Sequence, residues 1–293
     1  MFCFILILVP LLVPYEESQT NRWSPLLVFQ PSELVKLVVV CLLAKYYSYC
    51  GDKVKGYVQG VIAPILIGGV FCYLIHKGVD LGGAAVVGMI VAMLMFSSGA
   101  RKSHLMSLLL FVPVVMKAVG SYVYRSDRII AWQDPWPYAS GIGMQIVQSY
   151  YAFANGGIFG VGPGKGQQKL FFLPEASTDY IFSIVGEEFG LIGVFFVSSL
   201  FLALLWRGFM IARAARTISG YYIALGMTLC VVFPAFFNML VALSIIPAKG
   251  LPLPFFSFGG TSMMVSSLAV GVVLGVHSQS RMESPLAKKV FSV

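Results

Sequence analysis

Residues 171–206 read FFLPEASTDYIFSIVGEEFGLIGVFFVSSLFLALLW. From Tyr180 to Trp206 the run is long and apolar enough to exceed the roughly 20 residues that a helix needs to cross a bilayer. The same stretch carries four carboxylates, Glu175, Asp179, Glu187 and Glu188. Glu187 and Glu188 lie about two turns inside the run, where an unpaired ionised carboxylate is costly and calls for a partner. Gly186 and Gly190 flank them, and small residues at that spacing let another element approach closely.

Outward from this stretch the chain stays apolar. It is 58% hydrophobic and 11% charged over 293 residues, with a mean hydropathy of +0.85, more than the core of a soluble domain requires. Eight apolar runs follow: Phe2 to Val13, Leu34 to Tyr49, Tyr57 to Ile75, Leu81 to Ser98, Leu105 to Tyr124, Tyr180 to Trp206, Tyr221 to Ile246 and Phe258 to Val276. They are continuous and lack period-two alternation, which predicts helices and not a barrel, since a helix satisfies its own backbone in lipid. The fold class is therefore all-α, a polytopic transmembrane helical bundle. The first run is short, holds Pro10 and has no basic residue ahead of it, which reads as the remainder of a span and not as a signal peptide.

Lysine and arginine in the connections set the orientation. One side carries Lys53, Lys55, Arg101, Lys102, Arg207, Arg213, Arg216, Arg281, Lys288 and Lys289; the other carries Arg22, Lys77, Lys249, Arg125, Arg128, Lys165 and Lys169. Ten against seven places the tail in the cytoplasm and the long segment from Arg125 to Thr178 outside. Basic loops beside anionic headgroups account for the net charge of +8 without nucleic acid. The five cysteines show no C-x-x-C pairing, and His76, His104 and His277 stand singly, so neither a disulfide framework nor a metal site is indicated.

In the outer segment, GIGMQIVQSYYAF (141–153) has the periodicity of a short surface helix. NGGIFGVGPGKGQQKLFFLPE follows, with six glycines between Gly156 and Gly166 and the cations Lys165 and Lys169. Such a loop either presents N–H groups and ammonium charge to a phosphate or is simply flexible; it is not a Walker motif. Pro174 turns the chain, Ser177 or Thr178 is placed to cap a helix, and Asp179 is expected in its first turn. Asp179 there either complements the helix dipole or accepts a proton from a bound hydroxyl. Glu187 and Glu188 read first as a buried pairing or a water-lined pocket that holds the bundle together.

A second polar set lies in FQPSELVKL (29–37), where Glu33 and Lys36 share a helix face. Asp80, in KGVDLGGAAVVG, is a second carboxylate available to Lys36, and the set reads as a brace. The last outer connection, PAKGLPLPFFSFGGTS (247–262), breaks helix at three prolines and exposes Lys249.

FQPSELVKL, DLGGA, DPWPYASGIGMQIVQSYYA, GGIFGVGPGKGQQKLFFLPEASTDYIFSIVGEEFGLIG and KGLPLPFFSFGGTS resemble, in this order, motifs of the shape, elongation, division and sporulation family, the FtsW/RodA/SpoVE proteins. The resemblance covers nearly the whole chain. It implies ten spans with both ends in the cytoplasm, of which the first two are absent here, in a single membrane domain whose outer loop is residues 125–178. It implies a peptidoglycan glycosyltransferase of the bacterial cytoplasmic membrane, at the division septum, that polymerises lipid II, a disaccharide-pentapeptide on undecaprenyl pyrophosphate. Asp179 occupies the place of the family's essential acid and is assigned as general base. Arg22, Lys165, Lys169, Glu175, Lys249 and Ser257 are candidates to bind substrate. A divalent cation such as Mg is one source of charge for the leaving pyrophosphate, and the cofactor is left open. The expected partners are lipid II, a penicillin-binding transpeptidase of class B and other divisome membrane proteins. DPWPYASG and LPEASTDYIF lean toward the division or sporulation branch. Two rival readings are a lipid II flippase, using Glu33, Lys36, Asp80 and Glu187 as a polar interior, and a non-catalytic scaffold.

Overall fold

The computed structural model describes residues 30–77, 80–106, 123–174, 176–247 and 250–282. In chain order the helices are α1 (Pro31–Cys50), α2 (Ala63–Lys77), α3 (Leu81–Ser97), α4 (Lys102–Met106), α5 (Val123–Gln133), α6 (Met144–Gly156), α7 (Ile181–Ala214), α8 (Ile218–Ala242) and α9 (Gly260–Met282). Among the described residues five stretches are long and apolar enough to span a membrane: 31–55, 58–77, 181–214, 218–242 and 260–281. The shorter apolar α3 matches the predicted Leu81 to Ser98 run. The predicted run Phe2 to Val13 and residues 107–122 of the predicted run Leu105 to Tyr124 lie outside the described residues. The chain is a multi-pass membrane protein.

The described residues form two compact units, each drawn from separated parts of the chain. The first takes its residues from 1–107, 204–232 and 260–293. In α1 the buried positions Glu33, Lys36, Val40, Leu43, Ala44 and Tyr47 recur every three or four residues and make one stripe. Lys36 and Glu33 sit on that stripe and pair with each other at 2.7 Å, each side chain no more than 5% exposed. Removing two charges from water together is tolerable only in such a pairing. Close packing extends the unit: a Cβ on Gly226 of α8 would strike Val40, and one on Gly68 of α2 would strike Val91 of α3.

Asp80 departs from expectation. Its carboxylate does not pair with Lys36; it accepts from Gln30 Nε2 at 3.2 Å, Ser32 Oγ at 2.8 Å and Gly83 N at 2.8 Å. Asp80 thus caps its own helix α3 and holds the start of α1. A Cβ on Gly83 would lie 2.6 Å from Asp80 Oδ2, so any larger residue there would push the capping carboxylate aside. The Thr261 hydroxyl, on α9, accepts from the Gln30 N–H at 3.3 Å and adds a second hold on the same end.

The second unit takes its residues from 108–203 and 233–259. Within it, Ser149 of α6 donates to the Ala242 carbonyl at 2.6 Å, so Ser183 of α7 donates to Ser149 at 2.6 Å. Both serines are fully buried. Trp132 donates its indole N–H to the Ser244 carbonyl at 2.7 Å. A core of Leu173, Tyr180, Ile184 and Val241 sits under the chain that leads to Asp179.

Candidate active site

The site is built on a break in α7. Inside this apolar run Gly190 adopts φ 62° and ψ −160°, a conformation that favours glycine and interrupts the helical ladder. The freed backbone groups must find partners, because water is scarce in a membrane span. The glycine-rich loop supplies them. Leu191 N–H and Ile192 N–H donate to the carbonyls of Gly157 and Ile158, at 3.0 and 3.3 Å. Val161 N–H and Gly162 N–H donate to the carbonyls of Glu187 and Glu188, at 3.0 and 3.1 Å. This contact admits no side chain: a Cβ on Gly160 would strike the Glu188 carbonyl, and one on Gly190 the Gly160 nitrogen. One turn earlier, a Cβ on Gly156 would strike the Gly186 carbonyl, so α6 and α7 approach through glycines as their placement suggested.

The two carboxylates finish the same junction. Glu187, 1% exposed, accepts from the backbone N–H groups of Gln167 and Gln168 at 3.0 and 3.1 Å. Glu188 accepts from Gly164 N–H at 2.9 Å and from Lys169 Nζ at 2.6 Å. The acids in the span are therefore the anion that the glycine loop binds. Three loop N–H groups and the Lys169 ammonium, which the sequence left either facing a phosphate or on a flexible loop, are turned to Glu187 and Glu188. Lys165 remains exposed on the loop, without an ion pair to a described carboxylate.

Asp179 lies where this braced junction meets the last connection. The helix starts at Ile181, so Asp179 is in the turn at 176–179 and not in the first helical turn, and Ser177 and Thr178 precede the capping position. Three consecutive carbonyls of that turn are held from elsewhere in the unit. Phe258 N–H donates to the Ser177 carbonyl at 2.8 Å, the Ser257 hydroxyl donates to that of Thr178, and the Asn238 amide donates to that of Asp179 at 2.8 Å. Asn238 also donates to the Leu251 carbonyl at 2.8 Å, and Ser257 Oγ accepts from Leu253 N–H at 2.7 Å. Ser257, expected to bind substrate, has its hydroxyl committed to this backbone. With the carbonyls fixed, the Asp179 side chain stays half-buried at the rim.

Two groups missed in the sequence reading surround it. The Tyr180 hydroxyl is buried without a hydrogen-bond partner. Burial pushes the Tyr180 phenol pKa up, the Asp179 charge adds to the rise, and the Arg128 charge opposes it. Arg128 therefore stands within electrostatic reach of the same tyrosine as Asp179. Arg128 also lines an open pocket of about 330 Å³ with Gly141, Met144, Gln145 and Pro174. No sequence motif marks Arg128; only its placement on the outer segment hinted at it. Arg22, Glu175 and Lys249 lie outside the described residues. Among the described residues no group of three or more His, Cys, Asp or Glu side chains forms a metal-binding set.

Residues 1–282 match the FtsW/RodA/SpoVE family, described as "Cell cycle protein". The "Probable peptidoglycan glycosyltransferase FtsW" of Geobacter sulfurreducens is 37% identical over 262 residues, 88% of this chain and 70% of that protein. Stage V sporulation protein E of Bacillus subtilis is 37% identical over 288 residues, 96% of this chain and 77% of that protein. A solved chain described under "structural coordination of polymerization and crosslinking by a peptidoglycan synthase complex" superposes with a TM-score of 0.79 at 28% identity, covering 96% of this chain and 80% of that one. The rod shape determining protein RodA of Thermus thermophilus does so with a TM-score of 0.65 at 26% identity, covering 96% and 76%. The chain belongs to the FtsW/RodA/SpoVE family of cell cycle proteins.

Proposed function

We propose that this protein is a peptidoglycan glycosyltransferase that polymerises lipid II at the outer face of the bacterial cytoplasmic membrane, with Asp179 as general base. The observation that carries the reading is the turn at 176–179, whose carbonyls are held by Asn238, Ser257 and Phe258 so that one carboxylate is presented at a fixed place. Positioning of this kind is what general-base catalysis needs, since the base must lie within hydrogen-bond reach of the proton it removes. Relatives named as glycosyltransferases support the same reaction class.

In this scheme the 4-hydroxyl of the acceptor sugar attacks the anomeric carbon of the donor. Its proton passes to the Asp179 carboxylate, a bond forms between the acceptor oxygen and the anomeric carbon, and the bond to the undecaprenyl pyrophosphate oxygen breaks. Charge developing on the leaving pyrophosphate is met by cations on the same outer segment, Lys165 and Arg128, with Arg22 and Lys249 as further candidates. Lys169 serves the loop through Glu188. Glu175 remains a candidate for binding the sugars, and Ser257 acts through the turn that it holds.

A transpeptidase of the penicillin-binding class is the expected partner, together with other membrane proteins of the division septum, and both chain ends are placed in the cytoplasm. A transport reading would draw on Glu33, Lys36, Asp80 and Glu187, but each of these is engaged in a pairing that a moving polar cargo would have to break.

The test incubates lipid II with the purified protein and its transpeptidase partner, resolves glycan chains by gel electrophoresis, and in parallel follows lipid II between leaflets of vesicles. Glycan ladders without leaflet transfer are expected. Transfer without polymer would replace the reading by a flippase, and neither would replace it by a scaffold.

A further inference from the structure

The contact between the glycine loop and α7 also fixes how deep the loop lies. Between Glu188 and Arg207 the chain runs through 18 uncharged residues, 189–206. At a helical rise of about 1.5 Å per residue they cover about 27 Å, just short of the roughly 30 Å of a hydrocarbon core. The whole stretch is therefore needed to cross, and Glu188 marks one boundary of the core. Leu191 and Ile192 fall inside that boundary, and their N–H groups donate to the carbonyls of Gly157 and Ile158 at 3.0 and 3.3 Å. The loop backbone at 157–158 is thus held at the level of the acyl chains, although the sequence reading places residues 125–178 outside.

The side chains at this level are of the matching kind. Gly157 and Gly160 take positive φ, 52° and 80°, and turn the chain so that Ile158 and Phe159 form its tip. Ile158 is 60% exposed and Phe159 80%. From Gly157 to Gly164 no side chain carries a charge or a hydroxyl, and the next residue is the exposed Lys165. On α7 the exposed neighbours in the same stretch are Leu191, Ile192, Phe195 and Phe196. The tip therefore continues the exposed apolar surface of a span, whose natural contact is hydrocarbon. Non-helical backbone at such depth must find its hydrogen bonds within the protein, and the four bonds around Gly190 provide them. Earlier in the same outer segment, Trp136 packs on Tyr150 and Tyr151 with ring centroids 6.4 and 6.3 Å apart, all three exposed. Tryptophan and tyrosine are the side chains that settle at the membrane–water interface.

We propose that residues 157–162 are a re-entrant loop, with its tip of Ile158 and Phe159 embedded among the acyl chains of the adjacent leaflet and Lys165 at the level of the headgroups. The loop then anchors the junction at Gly190 to the bilayer as well as to α7. This surface is independent of the reaction proposed for Asp179.

The experiment places the full chain in nanodiscs of phosphatidylcholine and phosphatidylglycerol, which leave both membrane faces open to solution. A membrane-impermeant maleimide is added to Phe159→Cys, to Lys165→Cys and to wild type, whose labelling gives the background of the native cysteines. Phe159→Cys is expected to react at least about tenfold more slowly than Lys165→Cys, because a thiol in apolar surroundings does not ionise. In parallel, p-benzoylphenylalanine in place of Phe159 is irradiated in the same discs and the product is weighed by intact mass spectrometry. A phospholipid adduct that keeps one fatty acid after saponification is expected. Phe159 is exposed, so these replacements leave the core untouched, and unfolding curves matching wild type verify it. Equal labelling of the two cysteine variants would overturn the proposal. So would a photoadduct to the headgroup alone, a crosslink to a second copy of this chain in place of lipid, or no lipid adduct at all.

Discussion

The two units solve one problem in different ways. In the first, Lys36 and Glu33 meet on one helix face three residues apart, and Asp80 caps the helix it begins. In the second, Glu187 and Glu188 are neutralised by a loop some 20 residues earlier in the chain, mostly through backbone N–H groups. A local pair braces a helix, whereas a distant pair ties a loop to a break in a helix. The second arrangement couples the position of the turn at Asp179 to that of the glycine loop, since both connect to the first turns of α7.

That contrast can be broken most severely at Gly190. Gly190→Val forces a β-branched residue into φ 62° and drives its Cβ into the Gly160 nitrogen. A loss of about 4 kcal/mol or more is expected, seen as failure of the protein to accumulate in membranes. Near-normal yield would mean that the junction is not as tight as described.

Next come the local charges. Lys36→Met should cost about 3–5 kcal/mol by leaving Glu33 buried alone, while Lys36→Met with Glu33→Leu should cost much less, as read from detergent unfolding midpoints. Equal losses for single and double variants would contradict a self-contained pair. For Glu187→Ala the expected loss is about 2–3 kcal/mol, because two loop N–H groups lose their acceptor, and proteolysis should speed up within 157–168 but not in the first unit. Protection of the loop equal to wild type would separate it from Glu187. The smallest effect belongs to Lys169→Ala, about 1 kcal/mol at most, because the lysine side chain is 35% exposed and solvent screens its pairing with Glu188.

How much of this is written in the sequence follows the same division. The long helices are legible because hydropathy is additive along the chain, and Glu33 with Lys36 is legible because i and i+3 share a face. Asp80 misled because its helix-capping role competes with ion pairing, and position alone does not decide between them. The break at Gly190 is hidden, since a glycine in an apolar run looks the same whether the helix bends there or packs there. The staples from Asn238 and Ser257 to the turn at Asp179 span 59 and 79 residues and carry no local periodicity. The sequence left the glycine loop either as an anion binder or as a flexible segment, and the anion it binds is the protein's own pair of carboxylates. Arg128 was visible only as one positive charge among several until its charge, like that of Asp179, was seen to act on Tyr180.

The most direct test of the account is the rate of lipid II polymerisation at saturating substrate by Asp179→Asn and Asp179→Glu, in protein whose unfolding curve matches wild type. Loss of the base should lower the rate by about 10²–10⁴-fold in Asp179→Asn, with part of it restored in Asp179→Glu. Polymerisation by Asp179→Asn at the wild-type rate would contradict the account, because the turn held by Asn238, Ser257 and Phe258 would then present no group that the reaction uses.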